Sequence, residues 1–390
     1  MGAAAKVLMF GLVGLMAVVV FVPGVRQSFT RMFSNSETII VPSSPRSSSG
    51  SSPAQTDVSL DPATGQELRL IMLLGYDAIP AILDPEFLDA EQAQLEFRPE
   101  EQVLGLSING DNRAYSIPML SRHEIVNDVG GGSAVAITYC PLCLTGIVFD
   151  RSVAGSVVEF GVSGKLLMNV LVMYVRDTDS LWSQILREAI TGPHRGTSLV
   201  LVDSLQTTWS TWRNLHPQTL ILDERVRNDS YASYYRNNDS GVHGGFSDDD
   251  RLPAKEIVVG LIIGRTARAY PVALAEQYPV VNDRLDETPV AVAFGSDGQT
   301  GIVFDPRLDG RTLTFDPHPS DPGAMVDRET NSVWQRLTGR ALPGPMTGRE
   351  LAQQPARTSF WFGWHDFFSE TTVYGIDSPG SAGFDGSSEG

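Results

Sequence analysis

The chain has 390 residues and two cysteines, and these stand three apart as Cys140-Pro141-Leu142-Cys143. Thiolates are nucleophiles, two-electron reductants and soft metal ligands, so the pair could support exchange chemistry or metal binding. It lies between two strand-like runs, residues 135–139 and 145–150. A thioredoxin-type dithiol needs its first cysteine at a helix N-terminus, where the dipole and free N–H groups stabilise thiolate. Here a strand resumes two residues after the second cysteine. That strand–turn–strand placement is closer to the knuckle of zinc and iron–sulfur proteins, except that Leu144 stands where such knuckles commonly carry glycine.

One knuckle supplies two ligands, and with no other cysteine a four-thiolate zinc site or an ordinary iron–sulfur cluster is excluded within one chain. The other donors are carboxylates, methionines and six histidines, His123, His194, His216, His243, His318 and His365. His123 precedes Cys140 by seventeen positions. Two sulfurs with an imidazole suit copper, and zinc is equally permitted if water or Glu124 completes the set. The expected metal ligands are therefore Cys140, Cys143, His123 and Glu124. Met173 reads more simply as core packing. Two other readings of the cysteines stay open: a redox-active dithiol serving a partner oxidoreductase, and an inert disulfide or pair of buried thiols. A disulfide closing so short a loop removes little chain entropy. No Ser-His-Asp order, phosphate loop or His-Glu-x-x-His motif is present, so neither an enzyme nor a non-catalytic binding module is ruled out.

The elements around the motif occur twice. Residues 103–150 align without a gap onto 258–305 at a constant offset of 155, with 18 of 48 identical. Arg113-Ala114-Tyr115 recurs as Arg268-Ala269-Tyr270, Asn127-Asp128 as Asn282-Asp283, and the run from Thr145 to Asp150 as Thr300 to Asp305. After a three-residue deletion the offset becomes 152, and Ser180, Trp182, Trp209, Trp212 and Thr219 fall on Ser332, Trp334, Trp361, Trp364 and Thr371. Cys140-Pro-Leu-Cys143 faces Gly295-Ser-Asp-Gly298, and His123 faces Tyr278. Residues common to both copies are expected to be scaffold: Asn-Asp pairs fix turns, and the tryptophans pack. What only the first copy has is the candidate chemistry.

Short β-branched runs separated by Gly, Asp or Pro fill each copy, at 103–108, 134–139, 146–149, 157–162 and 171–174 in the first. That spacing predicts a mainly β, α+β fold, with brief helices near 89–95 and 117–124. The expected organisation is two tandem homologous β-rich domains, 59–225 and 252–376, joined by a polar stretch of low order at 226–251. A Ser/Pro-rich tether precedes them at 26–58 and a Gly/Ser/Asp-rich tail follows at 377–390.

Residues 7–22 form an uninterrupted apolar run of about 24 Å as a helix, flanked by Lys6, Arg26 and Arg31. No Ala-x-Ala site follows, which favours a retained transmembrane anchor within 1–25 over a cleaved signal peptide. The expected setting is extracytoplasmic, with the membrane as one partner and a protein partner that the residues do not specify. A net charge of −17, with Lys6, Lys165 and Lys255 the only lysines, repels phosphate backbones and disfavours nucleic acid.

His123-Glu-Ile-Val-Asn-Asp128 and Tyr139-Cys-Pro-Leu-Cys143, with Arg113-Ala-Tyr, Phe160-Gly-Val-Ser-Gly164, Val172-Met-Tyr174 and Leu181-Trp182, make the chain resemble domain-of-unknown-function family 3179 of bacteria and archaea. Asp77-Ala-Ile-Pro-Ala-Ile82 resembles the family's N-terminal portion, so the likeness covers roughly residues 65–222. It implies His123, Glu124, Cys140 and Cys143 as a shared constellation, and it implies no activity. The chain departs from the family pattern at Arg122, where an aromatic is usual, and at Val175-Arg176, where Asp-Arg is usual and Asp327-Arg328 keeps it.

Overall fold

Asn109-Gly110 joins the strands Gln102–Ile108 and Asp111–Ser116, and both turn residues take positive φ. This is the chemistry of a type I′ hairpin, whose twist matches that of the strands it links. Gly131-Gly132 plays the same part between Ile125–Gly130 and Ser133–Cys140. Local turn chemistry of this kind, alternating with β-branched runs, produces a structure made mainly of short antiparallel strands. The computed structural model describes residues 35–39, 68–226 and 231–377.

Residues 87–222 form three sheets. One runs Ser204–Thr208, Gln102–Ile108, Asp111–Ser116, Leu220–Leu222, Phe87–Asp89, with a parallel pairing between the third and fourth strands. A second runs Leu201–Val202, Thr145–Asp150, Ser133–Cys140, Ile125–Gly130. The third runs Phe160–Leu167, Val170–Val175, Leu181–Ser183, Glu188–Ala189, and is extended on the Phe160–Leu167 side by Leu68–Met72 and then Asn35–Ile39. The second half repeats these orders: Arg357–Phe360, Ile257–Ile263, Thr266–Pro271, Thr372–Val373, then Val280–Leu285, Thr288–Phe294, Gly301–Asp305, Ala352–Gln353, then Phe315–Pro317, Ala324–Asp327, Val333–Gln335. Its fourth-strand pairing in the first sheet is parallel as well.

The residues common to both halves lock these sheets together. Asn127 donates to the Phe160 carbonyl at 2.8 Å and accepts from the Phe160 N–H at 2.9 Å. Asn282 does the same with Phe315, at 2.7 and 2.8 Å. Asp128 accepts from Arg113 and Tyr115, and Asp283 from Arg268 and Tyr270. Each Asn-Asp pair thus bonds across strands and between sheets, a longer reach than the local turn role expected for it. The tryptophans are fully buried, and the Trp212 and Trp364 indoles donate to Thr219 and Thr371 at 2.8 and 2.9 Å. Gly105 and Gly260 lie against those rings so closely that a Cβ would meet them at 2.2 and 2.3 Å.

The halves share their cores. One apolar cluster combines Cys140, Cys143, Phe149 and Trp182 with Val258, Phe360, Trp361 and Trp364. Another combines Val103, Trp209 and Trp212 with Ile302, Phe304 and Trp334. Each half also keeps a cluster of its own, around Tyr115, Tyr139 and Val148 in the first and Tyr270, Phe294 and Val303 in the second, so the halves are joined by the two shared clusters rather than merged into one core. The stretch expected to be a polar connector, 226–251, is structured over its described part, 231–251. Tyr231, Tyr234 and Val242 are buried in the first cluster, because aromatic residues punctuate that polar sequence.

The brief helices fall where expected, at Ala90–Gln94, capped by Asp89, and at Ile117–His123. The run 157–162 divides into Ser156–Val157 and Phe160–Leu167, because Arg151 turns inward and binds the Val158 carbonyl at 2.9 Å. Among the described residues no helix is long and apolar enough to cross a membrane, and the apolar run 7–22 lies outside them.

Replacing Asn127 by Leu removes both bonds to Phe160 and strands two buried backbone groups. The expected loss is about 2–3 kcal/mol in urea unfolding, and Asn282→Leu is expected to lose a similar amount. A change within error for both variants would mean that the sheets are held together by apolar packing alone.

Candidate functional site

Cys140 ends the Ser133–Cys140 strand, and its register partner is Thr145, the first residue of Thr145–Asp150. The turn between them closes at Leu144, whose φ is 60°. This left-handed conformation is the one a glycine adopts without strain, so the knuckle geometry is present with a leucine in glycine's place, at a cost of about 1–2 kcal/mol. Burial of the leucine side chain in the core offsets it.

Both thiols are free and buried, with 1% and 0% of the residue surface exposed. Cys140 Sγ lies 3.7 Å from the Asn169 carbonyl, and Cys143 Sγ lies 3.9 Å from the Cys140 carbonyl. Their acidities diverge. Burial pushes the Cys140 thiol up, but hydrogen bonds from the Cys143 thiol and from the backbone of Cys143 and Leu171 outweigh it, and the net direction is down. Burial, followed by the bond and charge of Cys140, drives the Cys143 thiol well up.

The turn is enclosed from three sides. From the second half, the Phe360 N–H donates to the Cys143 carbonyl at 2.8 Å and the Ser359 hydroxyl to the same oxygen at 3.3 Å. Gly363 sits so near that a Cβ would stand 2.6 Å from Cys143 Cβ. From the connector, the Tyr234 hydroxyl donates to the Leu142 carbonyl at 2.8 Å, while Lys255 Nζ lies 3.4 Å from the Tyr234 ring centre. Asn169 closes the third side, donating to Gly244 at 2.9 Å and accepting from Val242 at 3.2 Å. Tyr234, Asn169 and Gly363 were not legible in advance. The one available signal was that glycine stands at 363 where the first half carries Thr211.

Glu124 and His123 are adjacent in sequence and diverge in space. Glu124 caps the Ile117–His123 helix in a left-handed conformation and is buried, and its charge acts to raise the Cys140 thiol. It has Pro279 as its counterpart in the second half. His123 is directed elsewhere, with Nδ1 2.8 Å from the Pro80 carbonyl and Nε2 3.0 Å from Glu224. Its ring ties the N-terminal segment and the end of the first half to the helix. Among the described residues no group of three or more His, Cys, Asp or Glu is arranged to hold a metal ion. Met173 is fully buried in the core, as its type suggested.

A mainly β scaffold of interlocked halves, with one buried Cys-Pro-Leu-Cys turn, is the class of protein that these features define. The family model for proteins of unknown function designated DUF3179 matches residues 76–371, and the chain belongs to that family. The match spans both halves, beyond the 65–222 to which the motif likeness extended. No curated protein and no solved structure matches the chain.

Tyr234→Ala opens one wall, and its thiols are expected to react with a small aromatic disulfide reagent at least about tenfold faster than the native protein's under native conditions. An unchanged rate would mean that Tyr234 does not limit access. Gly363→Ala forces a methyl onto Cys143 and is expected to cost about 1–3 kcal/mol by thermal unfolding.

Proposed function

We propose that Cys140 and Cys143 form a redox-active dithiol that exchanges electrons with the disulfide of a partner protein. The observation that carries this reading is two free, buried sulfurs three residues apart on one strand–turn–strand bend, where among the described residues no group of three or more His, Cys, Asp or Glu could hold a metal ion. In the reducing direction Cys140 loses its proton to solvent admitted on opening and attacks one sulfur of the partner's disulfide. That S–S bond breaks, the departing thiolate takes up a proton, and a mixed disulfide remains. Cys143 then attacks the Cys140 sulfur, forming the 140–143 disulfide and releasing the second partner thiolate. Two electrons and two protons pass to the partner. Because both sulfurs are buried, exchange requires displacement of the Tyr234 and Asn169 walls.

Under this reading the second half is a copy that lost the site and kept the scaffold, and it supplies the wall made by Ser359, Phe360 and Gly363. The apolar run 7–22 supports a membrane tether, and the cysteine pair suits an extracytoplasmic setting, where disulfide partners occur.

The test uses the full chain. Glutathione-buffer titration is expected to give a two-electron transition, and Cys143→Ser is expected to trap a mixed disulfide through Cys140. Alkylation of Cys140 is expected to set in at a lower pH than for an ordinary thiol. One equivalent of copper or zinc that copurifies and is lost in Cys140→Ser would overturn the redox reading in favour of a metal site. Absence of both the transition and the trapped species would leave only buried structural thiols.

A further inference from the structure

Where the strands Gln102–Ile108 and Ser204–Thr208 of the first half meet Gly301–Asp305 of the second, the seam leaves a cavity of about 380 Å³. Sites for small molecules span about 300–1,000 Å³. Trp212, Ile302, Phe304 and Leu351 give the cavity an apolar wall, and all four are buried. Asp203, Arg340 and Glu350 line it too. Arg340 and Glu350 pair at 3.2 Å with 54% of each side chain exposed, so they mark the end open to solvent. His216 lines the same space with 7% of its surface exposed. Its ring packs on Trp212 with centres 4.1 Å apart, and among the described residues no group hydrogen-bonds to its ring nitrogens. Burial, then the Arg340 charge, push this imidazole down to about 4. It is therefore neutral at pH near 7 and keeps one donor and one acceptor unused.

The internal repeat shows how this frame looks when it is simply packed. Ser107, His216, Thr338 and Gln353 have Ile262, Phe368, Leu186 and Leu201 as counterparts. Ile262, Phe368 and Leu186 belong to the apolar cluster that holds the cysteines, and Leu201 packs against it. Leu205, on the cavity wall, stands where the other half puts the longer Arg357, and Asp203 stands where it puts Pro355. One frame is thus filled with hydrocarbon on one side of the molecule and lined with polar groups around a space on the other. Packing alone does not call for that difference, because atoms facing a space lose contacts that a filled core would give them.

We propose that this cavity binds a small organic amine with an apolar body. Arg340 and Glu350 offset each other, which leaves the Asp203 carboxylate as the net charge of the lining and selects a cation. The chain's charge of −17 favours the same sign. Trp212, Ile302 and Phe304 would take the body, which suits hydrocarbon rather than a hydrated metal ion, and the His216 acceptor nitrogen would take one ammonium N–H. The cysteines have no part in the site, so it stands apart from the redox reading.

Calorimetry on the full chain at neutral pH tests this, with 2-phenylethylamine as the probe and phenylacetate as its anionic match. The amine is expected to bind saturably with a Kd of about 1 mM or tighter, and at least about tenfold more tightly than phenylacetate. Asp203→Asn is expected to weaken the amine about fivefold or more. His216→Phe, which copies Phe368, is expected to fill the cavity and abolish binding. Thr338→Leu, which copies Leu186, narrows the cavity from the other half and covers the case in which His216→Phe does not fold. No saturable binding by the native chain, or undiminished binding in all three variants, would overturn the site. Equal affinity for phenylacetate would overturn the charge assignment, and displacement of the amine by magnesium chloride, at constant ionic strength, would overturn the organic class.

Discussion

Everything near the cysteine turn depends on a strand from the other half reaching across to it. The Phe360 N–H and the Ser359 hydroxyl both end on the Cys143 carbonyl, in an apolar cluster to which both halves contribute. A different contact serves the reverse direction: Thr207, the counterpart of Ser359, accepts from the Thr300 hydroxyl at 2.9 Å, beside the Gly295–Gly298 turn that replaces the cysteines. Each half caps the other's turn. The seam is therefore an intramolecular interface in which a buried carbonyl left unbonded would cost more than the bond gains, which favours the interlocked arrangement over two separate domains.

Within that frame, shared residues and unshared residues divide the work. The Asn-Asp pairs, the Arg-Ala-Tyr runs and the tryptophans do the same jobs twice, tying sheet to sheet through bonds of nearly equal length. Cys140, Cys143, Glu124, Arg187 and Arg357 have no equivalents, and all five are buried. Full enclosure of the thiols carries its own consequence. Under the redox reading, the thiols would be reached only when Tyr234 and Asn169 move, and their reactivity would follow the local stability of the connector that covers them.

The strand runs, the two brief helices and the scaffold role of the Asn-Asp and tryptophan residues were legible in the sequence. Period-two apolar patterning, Asn-Gly and Gly-Gly turns and helix caps are local signals that act within a few residues. The knuckle at residues 140–143 was legible for the same reason, although Leu144 departs from the usual glycine. The internal correspondence also separated scaffold from candidate chemistry correctly for Met173, which is core. At His123 the ring, which differs between the halves, contacts Pro80 and Glu224, a pairing the internal correspondence did not indicate.

What the sequence determined by itself was which short elements form and where two sulfurs would share a turn, because both follow from neighbouring side chains. Only the tertiary structure decided that the halves interlock, that the polar connector folds into a wall, and that an imidazole next to Glu124 turns away from the thiols. Those outcomes depend on residues about a hundred or more positions apart, Cys143 with Phe360, Leu142 with Tyr234, His123 with Glu224. No pattern of spacing records such pairings, since they are fixed by how buried polar groups find partners once the sheets have packed.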